Sequence, residues 1–267
     1  MAEPVLVWGR LVGAQVRSQL QYPTSFALQI LGTVLISFLD FLAVLIVFHN
    51  VQRLGSWSVH EVAFLYAISM ISFAFADLVV GHIDLLPQKI RDGNFDLLLV
   101  RPRSTLFQVV VLDFQLRRLG KAAQASIVLV WALANLHIDW TPGRVAMLLL
   151  MVPVGPVIFA AVWVAAASVV FGTTEGGEFA NAFSYGGNFL TEYPIDLYAQ
   201  WMRRLLAFIV PLAFVAYFPA LYILDKPDPL GLPRALEFSG PVVAVAASLA
   251  AGAIWRFAVR HYRSAGG

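Results

Sequence analysis

Few residues in this chain have the type and setting to do chemistry. Two carboxylates, Asp40 and Asp77, sit inside long apolar runs. An ionisable group in lipid costs about 2.5–3.5 kcal/mol on insertion scales, so each must face the protein interior or a wet cavity. Substrate contact or a proton relay is one reading; an interhelical hydrogen bond or headgroup-level solvation is the other, and it carries the greater weight for both. A second grouping is aromatic: Phe208, Phe214, Tyr217, Phe218 and Tyr222, with Pro211 and Pro219 among them. Prolines bend a helix and free backbone carbonyls. An aromatic wall at such a bend suits an amphiphilic or aromatic cargo, and ordinary packing explains the same residues. The third grouping is the polar stretch 82–104, HIDLLPQKIRDGNFDLLLVRPRS, the densest mixture of charges in the sequence.

Covalent and metal chemistry have little support. There is no cysteine, which removes disulfides and thiolates. The five histidines, His49, His60, His82, His137 and His261, are scattered; His49, His60 and Glu61 share one loop without metal-ligand spacing. No G-x-S-x-G or H-E-x-x-H occurs, and Gly120-Lys121 lacks the upstream glycine and the hydroxyl residue of a P-loop. The chain reads as a non-catalytic membrane subunit with no cofactor of its own, and an integral-membrane enzyme is disfavoured.

The elements that must position these groups follow from composition. Of 267 residues 60% are hydrophobic and only 13% charged, against about 25% charged in soluble domains. The expectation is a single all-α integral membrane domain over 1–267. Six apolar segments, at about 26–48, 62–81, 119–138, 145–171, 205–224 and 240–259, each approach the ~20 residues a span needs. Residues 105–118 read as a helix that starts at the interface and runs on into the third span. Upstream, 5–22 has a helical period that gathers Val5, Trp8, Val12, Val16 and Leu20 on one arc and Arg10, Arg17 and Gln21 on the other. That pattern suits an interfacial helix anchored by Trp8, although Leu6 and Gln19 break it. In the last span Gly240, Ala244, Ser248 and Gly252 make a smooth ridge for close helix packing.

Lysines and arginines set the orientation. With both termini inside, the inner segments hold 14 basic residues, Arg203 and Arg204 among them, and the outer ones hold 4 of the 18. This places 82–104 in the cytoplasm. Within it Pro87 suits a first helical turn, Gly93 a left-handed cap, and Asn94 or Asp96 the start of a second short helix that Arg101-Pro102 ends. Lys89, Arg91 and Asp92 would face water, and Ile90 and Phe95 would be apolar knobs. Such a mixture suits a protein–protein contact, and a plain basic loop would look similar. The loop 172–204 is rich in glycine and aromatics, and a re-entrant or interfacial helix within it stays open. The loop 225–239, with three prolines, reads as a short outer cap.

Lys89–Pro102, KIRDGNFDLLLVRP, resembles the loop after the second span in ABC-2 type transporter permeases, and more narrowly a six-span, largely uncharacterised subfamily of about this length. Thr191–Asp196 with Trp201, Ile209-Val210-Pro211, and Tyr217 to Leu221 resemble the same subfamily. The resemblance implies a permease subunit of an ATP-driven exporter in the bacterial inner membrane. It would pair with a second permease, identical or homologous, and with two nucleotide-binding subunits that hold ATP and Mg. Lys89, Ile90, Arg91, Asp92, Gly93, Asn94, Phe95 and Asp96 would be the coupling helix, and 5–22 the connecting helix. Asp40, Asp77, Phe208, Phe214, Tyr217 and Phe218 are candidates for the translocation path; no nucleic acid is implied. The competing expectation is a free-standing proton-linked transporter or channel that uses Asp40 and Asp77.

Overall fold

The computed structural model describes residues 4–111, 114–173, 176–228 and 231–263, and α1 (Pro4–Leu20) in its first five residues by backbone alone. The fold is helical, with no strand among the described residues. Four helices are long and apolar enough to cross a membrane: Pro23–Asn50, Val59–Arg91, Pro142–Phe171 and Gly240–Arg260.

The centre is α3 (Val59–Val80). Its start is fixed by a capping box: Glu61 N–H donates to Ser58 Oγ, and Ser58 N–H donates to the Glu61 carboxylate at 2.7 Å. Its apolar residues run all round the helix, the pattern of a helix with neighbours on every side, and nearly all are buried. α7 (Leu119–Asn135) and α8 (Pro142–Ala167) pack most heavily against it. Gly155 of α8 lies where any Cβ would collide with Ser72, so the glycine permits close approach of the two backbones. α2 (Pro23–Asn50), started by Pro23 in its first turn, leans on α7 and leaves Leu28, Leu31, Leu35, Ile36 and Leu39 exposed.

α9 (Gly176–Thr191) runs antiparallel to α3 along its length. Gly177 abuts Pro87, Tyr185 Oη donates to Asp84 at 2.9 Å, and Thr191 shares a hydroxyl contact with Ser69. Just beyond it Asp196 accepts from Trp57 Nε1 at 3.0 Å. Trp57 precedes α3 and Asp84 follows it, so α9 carries the chain from the Asp84 end of the bundle to the Trp57 end.

The expected fifth span, 205–224, is not one continuous helix. That stretch is two pieces, Gln200–Ile209 and Leu212–Leu224, bent by 76°. The first ends in a π-helical turn, Leu205–Ile209, and Pro211 follows, a residue that cannot donate to continue a helix. Both flanks sit at the Trp57 end. Arg203 donates to the carbonyls of Asp196 and Tyr198, and after α11 (Tyr217–Leu224) Lys226 Nζ reaches Ser56 O at 3.0 Å and Glu61 at 3.1 Å. The segment therefore enters the bundle and returns to the same end.

Two further expectations change. The stretch 105–118 is not one helix: α6 (Thr105–Val111) is separated from α7 by extended backbone at Gln115 and a tight turn at Leu116–Arg118. In α12 (Gly240–Arg260) the inward positions are Gly240, Ala244, Ala251 and Trp255, so the ridge drifts off the contact, and Gly252 has open space where a Cβ would stand.

Candidate coupling surface and membrane-embedded polar groups

The stretch 81–104 folds as a tight turn Gly81–Leu85, α4 (Leu86–Arg91) and α5 (Asp96–Leu99). Gly93, at φ +70°, makes the expected left-handed joint between the helices. Neither Asn94 nor Asp96 caps the second helix; its cap position is Phe95, with no side-chain bond.

Phe95 corrects the expectation of an exposed knob. It is fully buried, 4.9 Å from the Phe171 ring and 5.1 Å from Tyr262. Phe171 in turn stacks edge-on against Trp255, whose Nε1 donates to Thr105 Oγ1 at 3.1 Å. Ile90 is half-buried against the core rather than projecting. A second fastening is Asp84, which accepts from Trp163 Nε1 of α8 at 2.8 Å and from Tyr185 of α9. Lys89, Gly93 and Asp96 are half-buried. Open to the outside are Arg91, Asp92 and Asn94, together with Leu97 (58% exposed), Leu99 and Val100 (82% exposed). Apolar side chains ringed by charge do face outward, but they come from α5 and the turn after it.

The two intramembrane acids have different surroundings. Asp77 is buried and ion-paired to Arg118 at 3.0 Å and Lys121 at 3.6 Å. Arg118 Nη1 also donates to the Asp77 carbonyl, and Gly81 leaves the space its guanidinium fills. Lys121 lies over the Phe73 ring at 5.1 Å. The interhelical reading holds for Asp77, with ionic partners from the turn before α7 and its first residues. Asp40 is exposed on α2, and no hydrogen bond or ion pair joins it to Asp77.

The aromatic group divides as well. Phe214, Tyr217 and Phe218 are buried: Tyr217 packs 5.8 Å from Trp57, and Phe214 4.7 Å from Phe218. Phe208 is 59% exposed on the π-helical turn. It borders both a largely apolar cavity of about 610 Å³ between α8, α9 and α12, which Phe214 also lines, and a mixed one of about 520 Å³ beside Arg203 and Arg204. Of the four, Phe208 and Phe214 line that apolar cavity, and Tyr217 and Phe218 do not.

Sequence reasoning missed one cluster. Glu192 is buried and accepts from Asn188 Nδ2 at 2.8 Å. Nearby on α3, Ser69 meets Thr191, and Tyr66 Oη donates to the Ser37 carbonyl at 3.0 Å and reaches Gln124. A carboxylate four residues after an asparagine on one helix was a legible i, i+4 pair. The loop reading of 172–204 hid it. Trp163–Asp84 left no signal at all, since the two lie far apart in sequence.

The profile of the ABC-2 family transporter protein matches residues 34–266. No curated protein and no solved structure gives a match. With long apolar helices and that match over most of its length, the chain is an all-α transmembrane protein that belongs to the ABC-2 transporter family.

Proposed function

We propose that the chain is the permease subunit of an ATP-driven ABC-2 type exporter, and that 82–104 receives the push of a separate nucleotide-binding subunit. The observation that carries this is the pairing of an exposed face with a buried fastening. Leu97, Leu99 and Val100 stand outside among Arg91, Asp92 and Asn94, while Phe95 and Asp84 tie the same segment to α8, α9 and α12. A load on that face reaches three helices through packed rings and charge-assisted hydrogen bonds, with little slack in between.

In this reading six segments cross the bilayer: α2, α3, α7, α8, the stretch of α9 with 192–196, and α12. The broken 200–224 stretch dips in from the outer side and returns. Arg203 and Arg204 then count as outer, which changes 14 against 4 basic residues into 12 against 6. The bias keeps its sign, with the Asp84 end and both termini in the cytoplasm. A second permease and two ATP-binding subunits complete the assembly; ATP and Mg belong to those subunits. The apolar, sparsely covered face of α2, with Asp40 on it, supports a partner chain there. A proton-linked transporter loses half its basis, because Asp77 is held in an ion-paired group.

The test is co-purification. Leu97→Asp with Val100→Asp should cut recovery of the ATPase by at least tenfold, with the chain's own yield and thermal midpoint unchanged. Undiminished recovery sinks the assignment. Because the chain has no cysteine, single cysteines report the topology. Gln200→Cys should react with a membrane-impermeant maleimide from the same side as Asp139→Cys and opposite to Arg91→Cys. Labelling of Gln200→Cys from the Arg91 side would overturn the re-entrant arrangement.

A further inference from the structure

A cavity of about 420 Å³ lies between α1 and the segment that follows α5. Arg101 and Arg103 border it, and both are exposed. Among the described residues neither makes an ion pair and no acid lines the cavity. Arg103 lies over the Phe107 ring at 6.0 Å. The apolar wall is Leu11, Phe107 and Val111. Its floor holds an independent feature, Gln108, which is 9% exposed. Gln108 Nε2 donates to the carbonyls of Leu98 at 2.9 Å and Arg103 at 3.0 Å, which leaves Oε1 buried with no donor. Gln108 thereby ties the Arg103 backbone to α5. The opposite wall is stable: Gln15 Nε2 donates to the Val111 carbonyl at 3.2 Å, and Gln19 Oε1 accepts from Leu116 N–H at 2.9 Å.

We infer that this cavity binds an anionic glycerophospholipid, its phosphate on Arg101 and Arg103 and an acyl chain along Leu11, Phe107 and Val111. Phosphate recognition by guanidinium forks is geometrically favoured. Basic pockets beside membrane helices on the cytoplasmic side are the places where acidic headgroups lodge. α1 has the make-up to lie at headgroup depth, with Leu11 and Leu20 exposed on it. The site rests on the proposed orientation only in placing this end at a membrane surface. A lipid held there bridges α1 to the residues directly after α5, and so braces the proposed coupling segment from the membrane side.

The experiment is native mass spectrometry of the purified full chain, titrated with dioleoyl phosphatidylglycerol or dioleoyl phosphatidylcholine. The wild type should retain phosphatidylglycerol at least tenfold more strongly than phosphatidylcholine. Arg101→Gln with Arg103→Gln should abolish that preference, while Arg260→Gln, an exposed arginine elsewhere, should keep it. An unchanged thermal midpoint shows that the double variant is folded. Equal retention of both lipids, a double variant that binds like the wild type, or an equal loss in Arg260→Gln would each overturn the site. Displacement of the lipid by millimolar inorganic phosphate would reassign it to a small anion and equally overturn it. None of these readouts needs the ATPase, so a failure here leaves the coupling proposal standing, and the reverse.

Discussion

At the Asp84 end, the polar segment 81–104 is fastened from within: Phe95 sits among the Phe171 and Tyr262 rings, and Asp84 takes hydrogen bonds from two helices. At the Trp57 end, the segment 196–226 is fastened at its edges. Trp57 holds Asp196, Lys226 lies 4.6 Å from the Trp57 ring, and between those ties the chain bends by 76° around a π-helical turn beside two cavities. The first arrangement suits a part that passes on a load without deforming. In the second, residues 212–221 pack in the core and only the turn with Phe208 and Ile209 is exposed beside open space, so displacement is confined to that turn. A polar interruption and an apolar run thus have different mechanical characters.

The contrast is broken most decisively at the buried fastenings. Phe95→Ala should cost about 3–5 kcal/mol, whereas Val100→Ser, at 82% exposure, should stay within about 0.5 kcal/mol. Thermal unfolding in detergent separates the two, and equal midpoints would contradict the anchor-and-face division. Asp77→Ala belongs in the same class. It strands Arg118 and Lys121 without their acid, and a buried pair broken on one side loses about 3–5 kcal/mol. Asp40→Asn should leave the midpoint unmoved, because Asp40 is exposed and makes no ion pair.

Next in size are the two tryptophan ties. Trp163→Phe and Trp57→Phe each remove a hydrogen bond to a carboxylate, worth about 1.5–3 kcal/mol. Their local effects should diverge: by hydrogen exchange, the first should loosen 82–100 and the second 196–226. Exchange that rises in the same segment for both would erase the difference between the ends. Among the polar ties the smallest effect falls on Arg144→Gln. Its partner Asp225 is 3.8 Å away with a side chain 74% exposed, so the loss should be under about 1 kcal/mol.

The helical class, the central apolar runs and the Gly93 joint were legible, because each rests on local hydropathy or backbone preference. The helix α9 was passed over for a physical reason. α9 carries Asn181, Asn188 and several glycines, and two of its polar side chains donate hydrogen bonds inside the bundle, Asn188 Nδ2 to Glu192 and Ser184 to the Ala180 carbonyl. A window that rewards apolar composition passes over such a helix and settles on Leu205–Leu224, whose hydropathy says nothing of the break at Pro211. Phe95 was misassigned because an aromatic in a charged stretch looks exposed until its ring partners, Phe171 and Tyr262, are known from elsewhere in the chain. The pairing of Asp77 with Arg118 and Lys121 was open to inference in principle, since three charges flank apolar runs on adjacent spans. Nothing local fixes which cation meets which acid.

The central claim is that force enters through the outward side of α5 and the turn after it. Photo-crosslinking measures this directly. A benzoylphenylalanine at Val100 should trap the nucleotide-hydrolysing subunit in membranes, and one at Gln200 should trap none of it. A crosslink from Gln200, or silence from Val100 in an intact complex, would contradict the account.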